Sequence, residues 1–77
     1  MVTQRGDLRS LRESRGLTLE AMAYLAGVDA ATISRIERGK VEPERGTVVK
    51  LARSLGLSVS RLRALIAEGA VAVGDQD

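Results

Sequence analysis

Residues 18–40, TLEAMAYLAGVDAATISRIERGK, constrain this chain more tightly than any other stretch of it. With Leu19 as the first position of the pattern, Ala23 stands at position five, Gly27 at nine, Val28 at ten, Ile33 at fifteen and Ile36 at eighteen. The spacing predicts two short helices that cross steeply after a tight turn. Backbones that cross closely tolerate only a small side chain at the contact, which Ala23 supplies. The chain must leave the first helix through a left-handed conformation, which glycine adopts without penalty. Val28, Ile33 and Ile36 then form the apolar stripe that holds the second helix to the body of the domain. An Ala-rich helical hairpin with a glycine turn is the plain alternative to this unit.

Seventy-seven residues make one domain, close to the lower limit for a core that folds unaided. The apolar fraction of 44% comes from Leu, Ala, Val and Ile, with Tyr24 the sole aromatic, and nothing alternates as a strand would. An all-α bundle is the expectation. The absence of Cys and His excludes disulfides, zinc fingers and catalysis built on either residue. Neither a metal site nor a cofactor site is expected, and no nucleophile–base pair points to an enzyme. No apolar run approaches the ~18 residues of a membrane span, and MVTQRGD has no signal-peptide core, so a cytoplasmic protein is expected. Residues 1–67 carry a net charge of +5 and the last ten residues −3. A basic body with an acidic tail suits a polyanionic partner. Ten of the twelve basic residues are arginine, which serves bidentate recognition of bases and phosphates but equally reflects GC-rich coding.

Five helices are predicted, at about 7–15, 19–26, 30–38, 45–55 and 59–67. Leu8, Leu11 and Arg12 share one face of the first, and Gly16 stops it. Thr18 and Asp29 are the expected N-caps of the second and third. The fourth enters after Pro43, is weakly capped by Glu44, and carries Val48, Leu51, Ala52 and Leu55 at helical spacing. Ser58 caps the fifth, which turns Val59, Leu62, Leu65 and Ile66 to the core. The remaining stretch, EGAVAVGDQD over 68–77, reads as a flexible acidic tail because glycines interrupt it.

LRSLRESRGLTLEAMA, GVDAATISRIERGK and PERGTVVKLARSLGLSVSRL together resemble the Cro/repressor-type helix-turn-helix family, often called the XRE family, over about residues 8–66. ISRIERGK followed by Pro43 is the most specific part. The resemblance implies a five-helix, lambda-repressor-like all-α domain whose second and third helices bind DNA. Arg12 and Glu37 point the same way from the residues alone. Each lies on a core-facing helix surface, and two opposite buried charges are tolerable only where they meet. The resemblance implies that this pair fixes helix 1 to the recognition helix.

If helix 3 enters the major groove, its outward face reads bases. Matched to the family pattern, Ala30, Ala31 and Arg35 stand at base-reading positions, and Thr32 lies on the same face. Arg35 suits guanine O6/N7; its plain alternative is a solvated surface arginine. Ala30 and Ala31 offer only methyl contacts, so part of the specificity is expected from DNA shape. Thr18, Leu19, Ser34, Arg38, Lys40 and Arg45 are the candidate phosphate contacts, Leu19 through its amide. Each basic residue among them reads equally as a solubilising charge. The expected partner is double-stranded DNA, bound by a homodimer on a two-fold operator as a transcriptional repressor associated with the nucleoid. Two alternatives stand beside this. One is the antitoxin of a toxin–antitoxin pair, with Leu19, Tyr24 and Leu25 as partner surface. The other is a protein-interaction module on the same fold without DNA binding. Helix 5 and Ala70 to Val73 are the candidate dimer elements.

Overall fold

A computed structural model describes the backbone of residues 7–76 and the side chains of residues 7–69. The elements, in order, are α1 (Leu8–Ser14), α2 (Leu19–Ala26), α3 (Ala30–Glu37), α4 (Arg45–Leu55) and α5 (Val59–Gln76). Among the described residues there is no strand. Local chemistry explains where each helix begins. The Asp7 carboxylate accepts from the Ser10 amide at 2.9 Å, Thr18 Oγ1 from Ala21 at 3.0 Å, Asp29 from Thr32 at 3.2 Å and Ser58 Oγ from Arg61 at 3.0 Å. Each bond satisfies one of the amide groups that the first helical turn leaves without a partner. Glu44 makes no such bond at the start of α4.

The turn between α2 and α3 is closed by Gly27 at φ 72°, with its amide and that of Val28 both donated to the Ala23 carbonyl. An L side chain at that φ is strained, so glycine here decides where α2 ends.

Ten residues from all five helices form one core: Leu8, Met22, Ile33, Ile36, Val48, Leu51, Ala52, Leu55, Leu62 and Leu65. Ala23 and Val28, placed by spacing at the α2–α3 crossing, are partly buried against it. Helix α5 packs on α1, α3 and α4, and α2 packs on α3 and α4. Fully burying each of the larger aliphatic side chains contributes about 1.5–3 kcal/mol, so the core outweighs any single surface interaction. The Arg15 guanidinium adds a long-range tie by donating to the Leu55 carbonyl at 2.6 Å, joining the ends of α1 and α4.

Three expectations need correction. Residues 68–76, expected as a flexible tail, continue α5 as a helix to Gln76. A tertiary contact accompanies it: Gly69 is buried, and its missing side chain lets α5 press against the end of α3. Val59, expected in the core, is 37% exposed because it sits in the first turn, beyond the edge of the packed layer. The last residue placed in α3, Arg38, is instead its C-cap, a one-residue difference in where the final turn closes.

Candidate nucleic-acid interface

At about 100° per residue, the three buried members of α3 set its inward direction. Ile33, Ile36 and Glu37 are buried, which puts Ala31, Arg35 and Arg38 on the opposite meridian. All three are exposed. Ala30 and Ser34 flank this line on one side and Thr32 on the other, and each of the three is half-buried. The outward line is therefore one small residue, Ala31, at the N-terminal end of α3 and two arginines, Arg35 and the C-cap Arg38, toward its C-terminal end. The Asp29 carboxylate at its start is engaged with the Thr32 amide, which keeps its charge tied to the cap. Among the described residues, Arg35, Arg38 and Arg45 have no acidic side chain within ion-pairing distance.

Two helix starts complete the surface. Helix α4 begins at exposed Arg45 and Gly46 with no side-chain cap, and open space surrounds the position where a Cβ on Gly46 would sit. Its first amides are thus accessible donors, and the helix dipole adds partial positive charge there. At the start of α2, Thr18 is exposed with its oxygen already accepting from Ala21. Leu19 is the first residue of α2, and its side chain packs against the core. It therefore leaves the exposed apolar set, which contains Tyr24 at 87% and Leu25 at 57% exposure.

The side of α3 facing the core is held by charge as well as by packing. Arg12 Nε donates to Glu37 Oε2 at 2.7 Å, and Nη2 donates to Oε1 at 3.2 Å. The remaining guanidinium nitrogen, Nη1, donates to the Leu17 carbonyl at 2.7 Å. One side chain thus links α1, the loop before α2, and the last residue of α3. The geometry is the two-pronged one that suits guanidinium to carboxylate. The hydrogen bond to Glu37 holds the guanidinium pKa above its ordinary value, against the opposing effect of burial. A base whose pKa is raised on folding contributes stability that is complete below its unfolded value and is lost as pH rises through the folded one, which for a guanidinium lies in extreme alkali. Among the described residues, no cluster of acidic side chains could hold a metal ion, and no helix is long and apolar enough to cross a membrane.

A family model described as a helix-turn-helix domain matches residues 6–65, which is most of the chain. The chain belongs to the helix-turn-helix domain family. It is 53% identical over 50 residues to the HTH-type transcriptional repressor RghR of Bacillus subtilis, covering 64% of this chain and 37% of that protein. It is 38% identical over 69 residues to the HTH-type transcriptional regulator DdrOP3 of Deinococcus deserti, covering 90% of this chain and 50% of that one. With the regulator PuuR of Escherichia coli it shares 40% identity over 53 residues, covering 69% and 29% respectively. The chain spans half or less of the length of these relatives. No solved structure matches it.

Within this helix-turn-helix unit, the residues singled out from sequence divide clearly. Ala31 and Arg35 lie together on the outward line of α3, and Arg38, placed among the phosphate contacts, joins them there. Lys40 is exposed just beyond the end of α3, at the mouth of the loop to α4. Ala70 to Val73, named as dimer elements, have side chains outside the described residues. Two positions have a role that the sequence does not signal. Asp7 is 3% exposed as the cap of α1, a burial that no pattern in MVTQRGD signals. Gly69 was read as a breaker because a glycine between Glu68 and Ala70 looks the same whether it ends a helix or admits a neighbour.

Proposed function

We propose that this chain is the DNA-reading domain of a transcriptional regulator, acting in the cytoplasm as a homodimeric repressor on a two-fold operator. The observation that carries the reading is the outward line of α3, where Ala31, Arg35 and Arg38 share one exposed face within a helix-turn-helix unit. In this reading α3 lies in the major groove. Arg35 donates to a guanine edge, while Ala30 and Ala31 meet thymine methyl groups and Thr32 borders them. Arg38, Lys40 and Arg45, with Ser34, Thr18 and the amides of Leu19 and of the α4 start, hold phosphates and set the register. Relatives named as transcriptional regulators support the assignment, and one of them is named as a repressor.

Three phosphate-binding cations per protomer give six per dimer, so the logarithm of affinity should fall with the logarithm of salt at a slope of about −5. The test is selection from a pool of randomised duplexes at physiological salt. Enrichment of an inverted repeat with half-sites about 34 Å apart supports the dimer on a two-fold operator. Failure to retain any duplex overturns the reading. Arg35→Ala should then relax selectivity at one base position by about 1–3 kcal/mol, whereas Arg45→Ala should weaken all duplexes alike and flatten the salt slope by about one per site lost.

A second reading has its own observation. Tyr24 and Leu25 are large, apolar and adjacent on the exposed side of α2, which favours a protein partner bound there, as in an antitoxin. Substituting both with Ser would leave duplex binding intact and abolish that partnership.

A further inference from the structure

We infer that Gly69 is a positioning residue for the recognition helix: through it, the part of α5 that runs past the family-matched region fixes the C-terminal end of α3. The inference rests on the DNA-binding reading for its functional consequence and on geometry for its mechanism. The family model ends at residue 65, yet α5 continues to Gln76. Four residues past that limit, Gly69 is buried, and a Cβ built on it would stand 2.9 Å from the Glu37 carbonyl oxygen and 3.6 Å from the Asp7 Cβ. Carbon and oxygen atoms in contact prefer separations well above 3 Å. Only glycine therefore permits this approach, although glycine is among the poorest residues inside a helix.

What α5 touches here is backbone, and backbone at a particular place. Glu37 is the last residue of α3, and its carboxylate holds Arg12 of α1. Asp7, the other neighbour, caps α1. The α3 end is thus gripped from two sides, by the guanidinium of Arg12 and by the α5 backbone at Gly69. Nearby, the loop from Gly39 to Pro43 is separated from Arg63, Ile66 and Ala67 of α5 by an open cavity of about 660 Å³. The loop beyond α3 is therefore loosely packed against α5, and at Gly69 the α5 backbone instead approaches the end of α3 directly. Arg38 follows Glu37 directly and Lys40 lies three residues on, so a shift of that carbonyl moves two of the side chains assigned to DNA.

The experiment compares Gly69→Ala with Ser58→Ala in the full chain, using the duplex obtained by selection. Ser58 caps α5 at its other end, so its loss weakens the same helix without touching α3. Measurements are made at a temperature where circular dichroism shows each variant folded. The expected result is at least about a fivefold rise in duplex Kd for Gly69→Ala, with Ser58→Ala binding as the unsubstituted chain does. Amide NMR shifts of residues 34–40 should move in the first variant alone. Unchanged affinity together with unchanged α3 shifts in a folded Gly69→Ala overturns the inference. If the unsubstituted chain binds no duplex, the DNA reading fails instead, and the amide shifts alone decide whether Gly69 positions α3. Should Gly69→Ala fail to fold, hydrogen exchange on the unsubstituted chain replaces it. Saturating duplex should then slow exchange at the amides of residues 66–70, by reciprocity of coupling, and unaltered exchange there overturns the inference.

Discussion

Removing Glu37 should be the most damaging single change away from the apolar core. Glu37→Ala leaves the guanidinium of Arg12, a residue 6% exposed, without its carboxylate, with the Leu17 carbonyl and the more distant charges of Glu13 and Glu20 in its place. Breaking one partner of a buried pair costs about 3–5 kcal/mol, because the survivor remains charged and desolvated. A small domain of this length has about 5 kcal/mol or somewhat more in total, so the variant should be largely unfolded or close to it near room temperature. Each kcal/mol corresponds to about 4–8 °C in Tm at this size. The magnitude belongs to stranding, and that distinction can be tested. Arg12→Met with Glu37→Met removes both charges while keeping bulk, and replacing a buried pair in this way is often neutral or stabilising. Urea denaturation of the two single methionine variants, the double variant and the parent forms a cycle. The expected coupling is strongly favourable, with each single substitution costly and the double one mild. A Glu37→Ala variant that loses less than about 1 kcal/mol, the worth of an exposed pair, would refute the argument that burial sets the cost. So would additive single effects in the cycle.

Gly46→Ala should stabilise the domain by about 0.4–1 kcal/mol, read by urea denaturation, since its Cβ meets open space and the unfolded chain loses freedom. The same substitution at Gly69 should destabilise despite the same gain in helix propensity, because the obstacle is backbone and cannot rotate aside. Asp29→Ala should cost about 1 kcal/mol through loss of the α3 cap, seen as a lower urea midpoint. It should at the same time tighten binding to random duplex, measured by anisotropy at low salt, because a negative charge leaves the face proposed to meet phosphate.

The residues that specify local geometry were the ones legible from the sequence. Thr18, Asp29 and Ser58 announce helix starts because their side chains satisfy amides within three residues, and Gly27 announces the turn because no other residue adopts φ 72° without strain. Arg12 and Glu37 were readable at long range for a different reason: two buried opposite charges have only one inexpensive arrangement. Glycine inside α5 had no such signature. A glycine between helix-forming residues is compatible with a break, a frayed end or a close crossing, and only the position of another element distinguishes them. Leu19 was misplaced among exposed residues for a related cause. Its periodicity is that of a helix start, where the facing neighbour comes from outside the local pattern. The roles of Arg35, Arg38 and Lys40 toward a ligand were readable only as face and charge, because an exposed arginine that binds phosphate and one that meets water have the same neighbours within the chain.

The structure separates what holds α3 from what α3 presents. Its inward side is fixed by Ile33 and Ile36 in the core, by the two-pronged bond from Arg12, and by the α5 backbone at Gly69. None of these contacts uses the side chain of Ala31, Arg35 or Arg38. Exposed substitutions away from caps and core usually change stability by no more than about 0.5 kcal/mol, so the outward line can be rewritten with little consequence for folding. The opposite holds at the flanks. Ala30 and Thr32 are half-buried, so enlarging either trades reading surface against packing on the body of the domain. Under the proposed DNA-binding reading, the half-buried flanks at Ala30 and Thr32 therefore have little room for a longer base-reading side chain, and Arg35 on the exposed line is the position expected to carry selectivity.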